Sequence, residues 1–171
     1  MTETGRSRLI PRRRLAWIAA VVVVLAVAVG GYVLADASFK GQADMATRAA
    51  QVMPFDLNAT HHTFTKTDQG GIEQVVAIDP ADTRNIELIR SHLQYEAGEF
   101  TKGNFSDPAR IHGMDMPGLQ ELEAGASRVQ VLYQSIQGGA QITYASSEPA
   151  LIVALHSWFD RQTTDHGMPG M

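Results

Sequence analysis

His61-His62-Thr63-Phe64-Thr65-Lys66-Thr67-Asp68-Gln69-Gly70-Gly71-Ile72, followed by a strand-like run to Ile78 and then Asp79-Pro80, reads as a β-hairpin leading into a helix. β-branched and aromatic residues on both sides favour strands, and Asp68 to Gly71 supplies turn chemistry between them. Asp79-Pro80 breaks the second strand and is expected to open the helix, because proline suits the first helical turn. Ile86, Ile89, Leu93 and Phe100 then recur at helical spacing, giving one buried stripe that should end near Gly103.

The same grammar returns downstream. Arg128 to Ile136 reads as a strand, Gln137-Gly138-Gly139 as a turn and Ala140 to Ala145 as a strand, and Glu148-Pro149 opens a helix through about Gln162. Gln69-Gly70-Gly71 matches Gln137-Gly138-Gly139, and Asp79-Pro80 matches Glu148-Pro149, at offsets of 68 and 69 residues. The expected fold is therefore α+β: a duplicated ββα unit whose two hairpins make a four-stranded antiparallel sheet covered by two helices. Between the units, Asp107-Pro108 starts a short helix, and Gly113, Pro117 and Gly118 prevent a long one within 105–125.

Ahead of this domain, residues 1–14 carry Arg6, Arg8, Arg12, Arg13 and Arg14 against Glu3. Leu15 to Leu34 is almost wholly apolar, and twenty residues at about 1.5 Å each span a bilayer core of about 30 Å. The reading is a basic cytoplasmic arm (1–14), a transmembrane signal-anchor (15–35), a linker or stalk helix (36–53) closed by Pro54, and an extracytoplasmic α+β domain (54–171). The positive-inside rule keeps the arm in the cytoplasm, so the chain is expected in the inner membrane as a single-pass protein with a periplasmic domain. Ala35-Asp36-Ala37 has the form of a signal-peptidase site and Arg12-Arg13 that of a twin-Arg signal, but the apolar run is longer than a cleaved signal needs, which favours a retained anchor. All three readings deliver the domain to one compartment.

Composition narrows the chemistry. The 171 residues include no Cys, which removes disulfides, thiolate metal sites and cysteine nucleophiles. Beyond the basic arm, nine Lys and Arg face seventeen Asp and Glu, a net of −8 that repels phosphate backbones, so no nucleic-acid partner is expected. G-x-S-x-G, P-loop, H-E-x-x-H and dinucleotide patterns are absent.

Six His remain: His61, His62, His92, His112, His156 and His166. His112-Gly113-Met114 and His166-Gly167-Met168 place imidazole beside thioether, a pairing that suits copper, Cu(I) above all. Met114 and Met116 alternate, which would put both on one side of an extended loop. His92 and His156 each precede a carboxylate by four residues, Glu96 and Asp160, so each ring could be oriented through its second nitrogen and the two could face each other across the helix pair. Strand alternation separates His61 from His62, and His62 is taken as the site-facing ring. The expected metal set is His92, His112, His156 and His166, with Met114 and Met116 as soft ligands and His62 in support; Trp158 and Phe159 are read as core.

His62 to Thr67, Ile89-Arg90-Ser91-His92-Leu93, Phe100 to Ser106, Ile111-His112-Gly113-Met114-Asp115-Met116-Pro117-Gly118-Leu119, and Ala154 to Gln162 with Asp165-His166-Gly167 resemble a group of small bacterial envelope proteins of unsettled function, often labelled aspartate carbamoyltransferase. The resemblance covers nearly all of the exported domain and implies a shared His-bearing frame. The enzymatic label does not carry over, because the transferase is a larger two-domain cytoplasmic enzyme whose Ser-Thr-Arg-Thr phosphate loop has no counterpart here. The leading expectation is a membrane-anchored metal-binding protein serving copper tolerance, storage or delivery, with zinc as the alternative ion. Two others stand beside it: an anchored interaction domain that docks its acidic surface on a basic envelope protein, and a metal-dependent hydrolase with Asp115, Asp160 or Asp165 as base.

Overall fold

The computed structural model describes residues 40–166, residue 42 excepted; the basic arm and the anchor segment lie outside the described residues. Among the described residues no helix is long and apolar enough to cross a membrane. The chain divides into two compact units, Met1–Ala43 and Asp44–Met171, and every element named below belongs to the second.

Its first helix, α1, covers residues 44–52 of that unit. Then come β1 (Thr60–Thr67), β2 (Gly70–Ala77), α2 (Thr83–Thr101), α3 (Ser106–His112), α4 (Leu119–Gly125), β3 (Gln130–Ile136), β4 (Gly139–Ala145) and α5 (Pro149–His166). The sheet is antiparallel throughout, with strand order β1-β2-β4-β3, so the two hairpins join through β2 and β4. This is an α+β domain with a four-stranded antiparallel sheet, in which each hairpin is followed by a helix.

Each helix leaves its own hairpin and packs on the other: α2 lies against β3 and β4, and α5 against β1 and β2. The exchange locks the halves together, since neither hairpin can bury its apolar face with its own helix alone. Gly70 begins β2 and Gly139 begins β4, so the two Gly-led strands start 69 residues apart. Glu73 pairs with Ile142 in the register, and those two are also equivalent under that offset.

Helix starts differ from the sequence expectation in one place. Asp79-Pro80 forms a turn in which Asp79 accepts from the Ala81 backbone N–H, and α2 begins three residues later, capped by Asp82 accepting from Asn85 N–H. A second acid with a free side chain out-competes the first as cap. In the other half Glu148 accepts from the N–H groups of Leu151 and Ile152, and Pro149 is the first helical residue, as proline at that position favours.

The core is aromatic. Trp158 and Phe159 are fully buried; Trp158 meets Phe100, Phe105 and Tyr144 edge-on at ring distances of 5.9, 5.7 and 5.7 Å, and Phe100 stacks on Phe105 at 4.7 Å. Two glycines permit this packing. A Cβ on Gly71 would stand 2.3 Å from the Phe159 ring, so the strand is bare where α5 seats. Gly118 takes φ +81°, and its Cβ would lie 2.2 Å from the Ala154 carbonyl oxygen, so α4 meets α5 at a point where only glycine fits.

Candidate functional site

Strand alternation sends Gly71, Glu73, Val75 and Ala77 of β2 toward the helices, together with His62 and Phe64 of β1. Glu73 is the exception in this apolar row. It lies opposite Ile142, with Tyr144 Oη donating to its Oε2 at 2.9 Å. Burial pushes its carboxyl up to about 7, against the lowering effect of the tyrosine hydrogen bond. The same burial, with Glu73 beside it, holds the Tyr144 hydroxyl well above its ordinary value.

A second acid enters from the helix layer. The stripe of α2 comprises Ile86, Ile89, Leu93, Glu96, Ala97 and Phe100, so Glu96 occupies a core position. Its carboxyl is pushed up to about 9, first by burial, then by a hydrogen bond to Asp107 and by the charges of Asp107, Glu73 and Glu99. Two carboxyls sharing a hydrogen bond must retain a proton between them. Glu96 Oε1 and Trp158 Nε1 are buried with no hydrogen-bond partner. Arg110 meets Asp107 Oδ1 at 3.5 Å from its exposed side.

These groups converge on one pocket of about 40 Å³ lined by His62, Glu73, His92, Glu96, Asp107 and His112, with Phe55, Met53 and Trp158 among its apolar walls. The Phe55 ring lies 5.8 Å from the ring of His62 and 5.8 Å from that of His92, so both imidazoles pack against one aromatic side chain. Burial lowers the basicity of His92, with Asp107 opposing. A neutral imidazole beside carboxyls is the form that ligates a cation. No Lys or Arg lines the pocket.

Of the residues singled out by sequence, the structure brings together His62, His92 and His112. His156 stands elsewhere: its Nε2 donates to the carbonyl oxygens of Thr67 at 3.0 Å and Gly70 at 2.9 Å, fastening α5 to the β1–β2 turn. It does not line the pocket, and so does not face His92 there. Met114 is 72% exposed whereas Met116 is 4% exposed and packs in the core, because residues 114–115 form a turn where the alternation required an extended loop. The two thioethers therefore do not share a side. Glu96 pairs with Asp107 on α3, where the sequence suggested His92 as its partner. The His166 side chain lies outside the described residues.

His156→Ala removes the two hairpin contacts and is expected to cost about 1–2 kcal/mol of stability. Thermal unfolding would show this as a midpoint several degrees lower, with cation binding unchanged.

Glu73 and Asp107 were not picked out by the sequence as site residues, and Glu96 was named only as the carboxylate that would orient His92. Among the described residues no three His, Asp or Glu side chains already stand as an ion-holding group. The chain matches no protein-family model, no curated protein and no solved structure.

Proposed function

We propose that this chain is a membrane-anchored, extracytoplasmic protein, built on a duplicated ββα unit, that binds a divalent metal cation. The reading rests on one observation: three carboxyls and three imidazoles converge on a small, largely apolar pocket lined by no Lys or Arg. Acidic groups gathered in low dielectric are costly unless a cation neutralises them, and without one they hold protons instead. Glu96, buried and hydrogen-bonded to Asp107, is pushed up to about 9 and so keeps its proton at neutral pH. Binding replaces the shared proton by the cation and draws the donors inward. A pocket of about 40 Å³ suits an ion with its water, and lies far below the few hundred Å³ of a substrate-sized cleft, which weighs against a hydrolase.

The donors would be His62, His92 and His112 with Glu96 and Asp107. Imidazole and carboxylate form a nitrogen and oxygen set, for which divalent ions follow an order placing Cu(II) above Zn(II). Copper is therefore the proposed ion and zinc its competitor, while the Cu(I) preference inferred from Met114 and Met116 loses support from their divergent placement. The anchor and the compartment are supported by the apolar run Leu15 to Leu34 behind its Arg cluster.

The test is titration of the full chain with Cu(II) and Zn(II) against a chelator of known affinity. One equivalent of Cu(II) bound, and bound more tightly than Zn(II), is expected. Binding no stronger than that of a His62→Ala, His92→Ala, His112→Ala variant would overturn the reading.

A further inference from the structure

The sheet has a second face, turned away from the helices, which bears His61, Thr63 and Thr65 on β1 and the outward residues of the other strands. At no outward position of the four strands does an Asp, Glu, Lys or Arg occur. At its centre Gln74 Nε2 donates to Gln141 Oε1 at 3.0 Å, and Gln141 Nε2 donates to Gln134 Oε1 at 3.1 Å, an amide ladder running across three strands. The adjoining row contains Ile72, Thr143 and Leu132, the last 52% exposed.

We propose that this open face is a self-association surface, on which a second copy of the chain seats the same face. Charge selects this occupant. Outside the basic arm the chain carries a net of −8, and exposed acids such as Glu87, Glu121, Glu123 and Asp160 stand on the helices. Two copies meeting through those helices bring like charges together, whereas two open sheet faces bring none. A basic partner gains nothing on a face that offers it no acid. The amide ladder gives the contact its polar complement, since each glutamine retains donor and acceptor capacity directed outward, and a two-fold axis in the contact plane reverses one ladder over the other.

The size of the face fits a modest dimer. Four strands about 4.8 Å apart and seven residues long at about 3.3 Å each present roughly 450 Å² per copy. The pair comes near the roughly 1,000 Å² at which specific contacts begin. Packed sheets stand about 10 Å apart, so outward side chains near the centre interdigitate.

The absence of Cys makes the test clean. Thr143→Cys, at the centre of the face, and Glu87→Cys, on the helical side, are each made in the full chain and treated with a short bismaleimide, alongside sedimentation of the unlabelled protein. Covalent dimer from Thr143→Cys, at least ten times that from Glu87→Cys, is expected, with loss of dimer in both assays on adding Leu132→Glu. Circular dichroism establishes that the Leu132→Glu protein is folded. A parent that sediments as a monomer at high micromolar concentration, equal cross-linking at the two positions, or adducts formed in cells only with other proteins would each overturn the proposal.

Discussion

Glu73→Gln is expected to stabilise the metal-free protein at pH 8.5 by about 3 kcal/mol and to leave it nearly unchanged at pH 4. The folded state raises the Glu73 carboxyl from 4.5 to about 7. Below pH 4.5 both folded and unfolded chains hold the proton, so there is no penalty. As pH rises from 4.5 toward 7 the unfolded chain releases its proton while the folded chain keeps it, and stability falls until both are ionised. Glutamine keeps an oxygen to accept from the Tyr144 hydroxyl but cannot ionise, so it escapes the loss. Tyr144 and Glu96 face Glu73, and His62, His92, His112 and Asp107 line the same pocket. Glu96, raised to about 9, contributes in the same direction and remains in the variant. His92 acts oppositely, since its lowered basicity destabilises the fold in acid. Subtracting parent from variant removes the His92 contribution, while the relief of Glu96 from the charge of Glu73 adds to the gain in the same direction. Urea unfolding at the two pH values, with chelator present, measures the difference; a variant less stable at both would show that the carboxylate supports the fold.

The position of this acid explains what the sequence could and could not convey. Period-two alternation, the Gly-rich turns and the Glu148-Pro149 pair were legible because each acts on its own few residues, and the sheet follows from the first two, whereas Asp79-Pro80 made a turn ahead of α2. The helix stripe was legible too, with a gap of seven between Leu93 and Phe100 that conceals Glu96. Alternation also places Glu73 on the face of Val75, and the repeat at offset 69 shows Ile142 in its place. An acid standing where its counterpart is apolar was the readable signal, and a search confined to His and Met passes over it. Asp107 was not readable in this way. It reaches Glu96 from the next helix, eleven residues on in sequence, a contact set by tertiary packing. His156 failed as a site residue for the converse reason: spacing to Asp160 describes one helix face, whereas its Nε2 is engaged by a turn eighty-six and eighty-nine residues away.

The double variant His62→Ala, His92→Ala is expected to weaken Cu(II) binding at least roughly 100-fold, since removal even of groups that merely orient a metal ligand costs about 10–100-fold. The two rings come from different layers, β1 and α2, and both contact Phe55. Losing both leaves His112 and the carboxyls without the nitrogen donors that favour copper over oxygen-preferring ions. Thermal unfolding gives an independent measure, because a ligand present at about 100 times its Kd stabilises the folded state by about 2.7 kcal/mol. The parent should show that gain with Cu(II), and the double variant should show no more than about 0.4 kcal/mol at the same concentration. His156→Ala and Met114→Ala should retain it, the first from a lower starting midpoint, because neither residue lines the pocket. This pattern separates the pocket from the wider set of His and Met named by the sequence: retention in the double variant with loss in His156→Ala would move the copper site to the α5 end of the sheet. Glu73→Gln supplies the remaining contrast. It keeps both imidazoles and removes one charge, so its metal-free form should be the more stable while its gain from Cu(II) is smaller than the parent's.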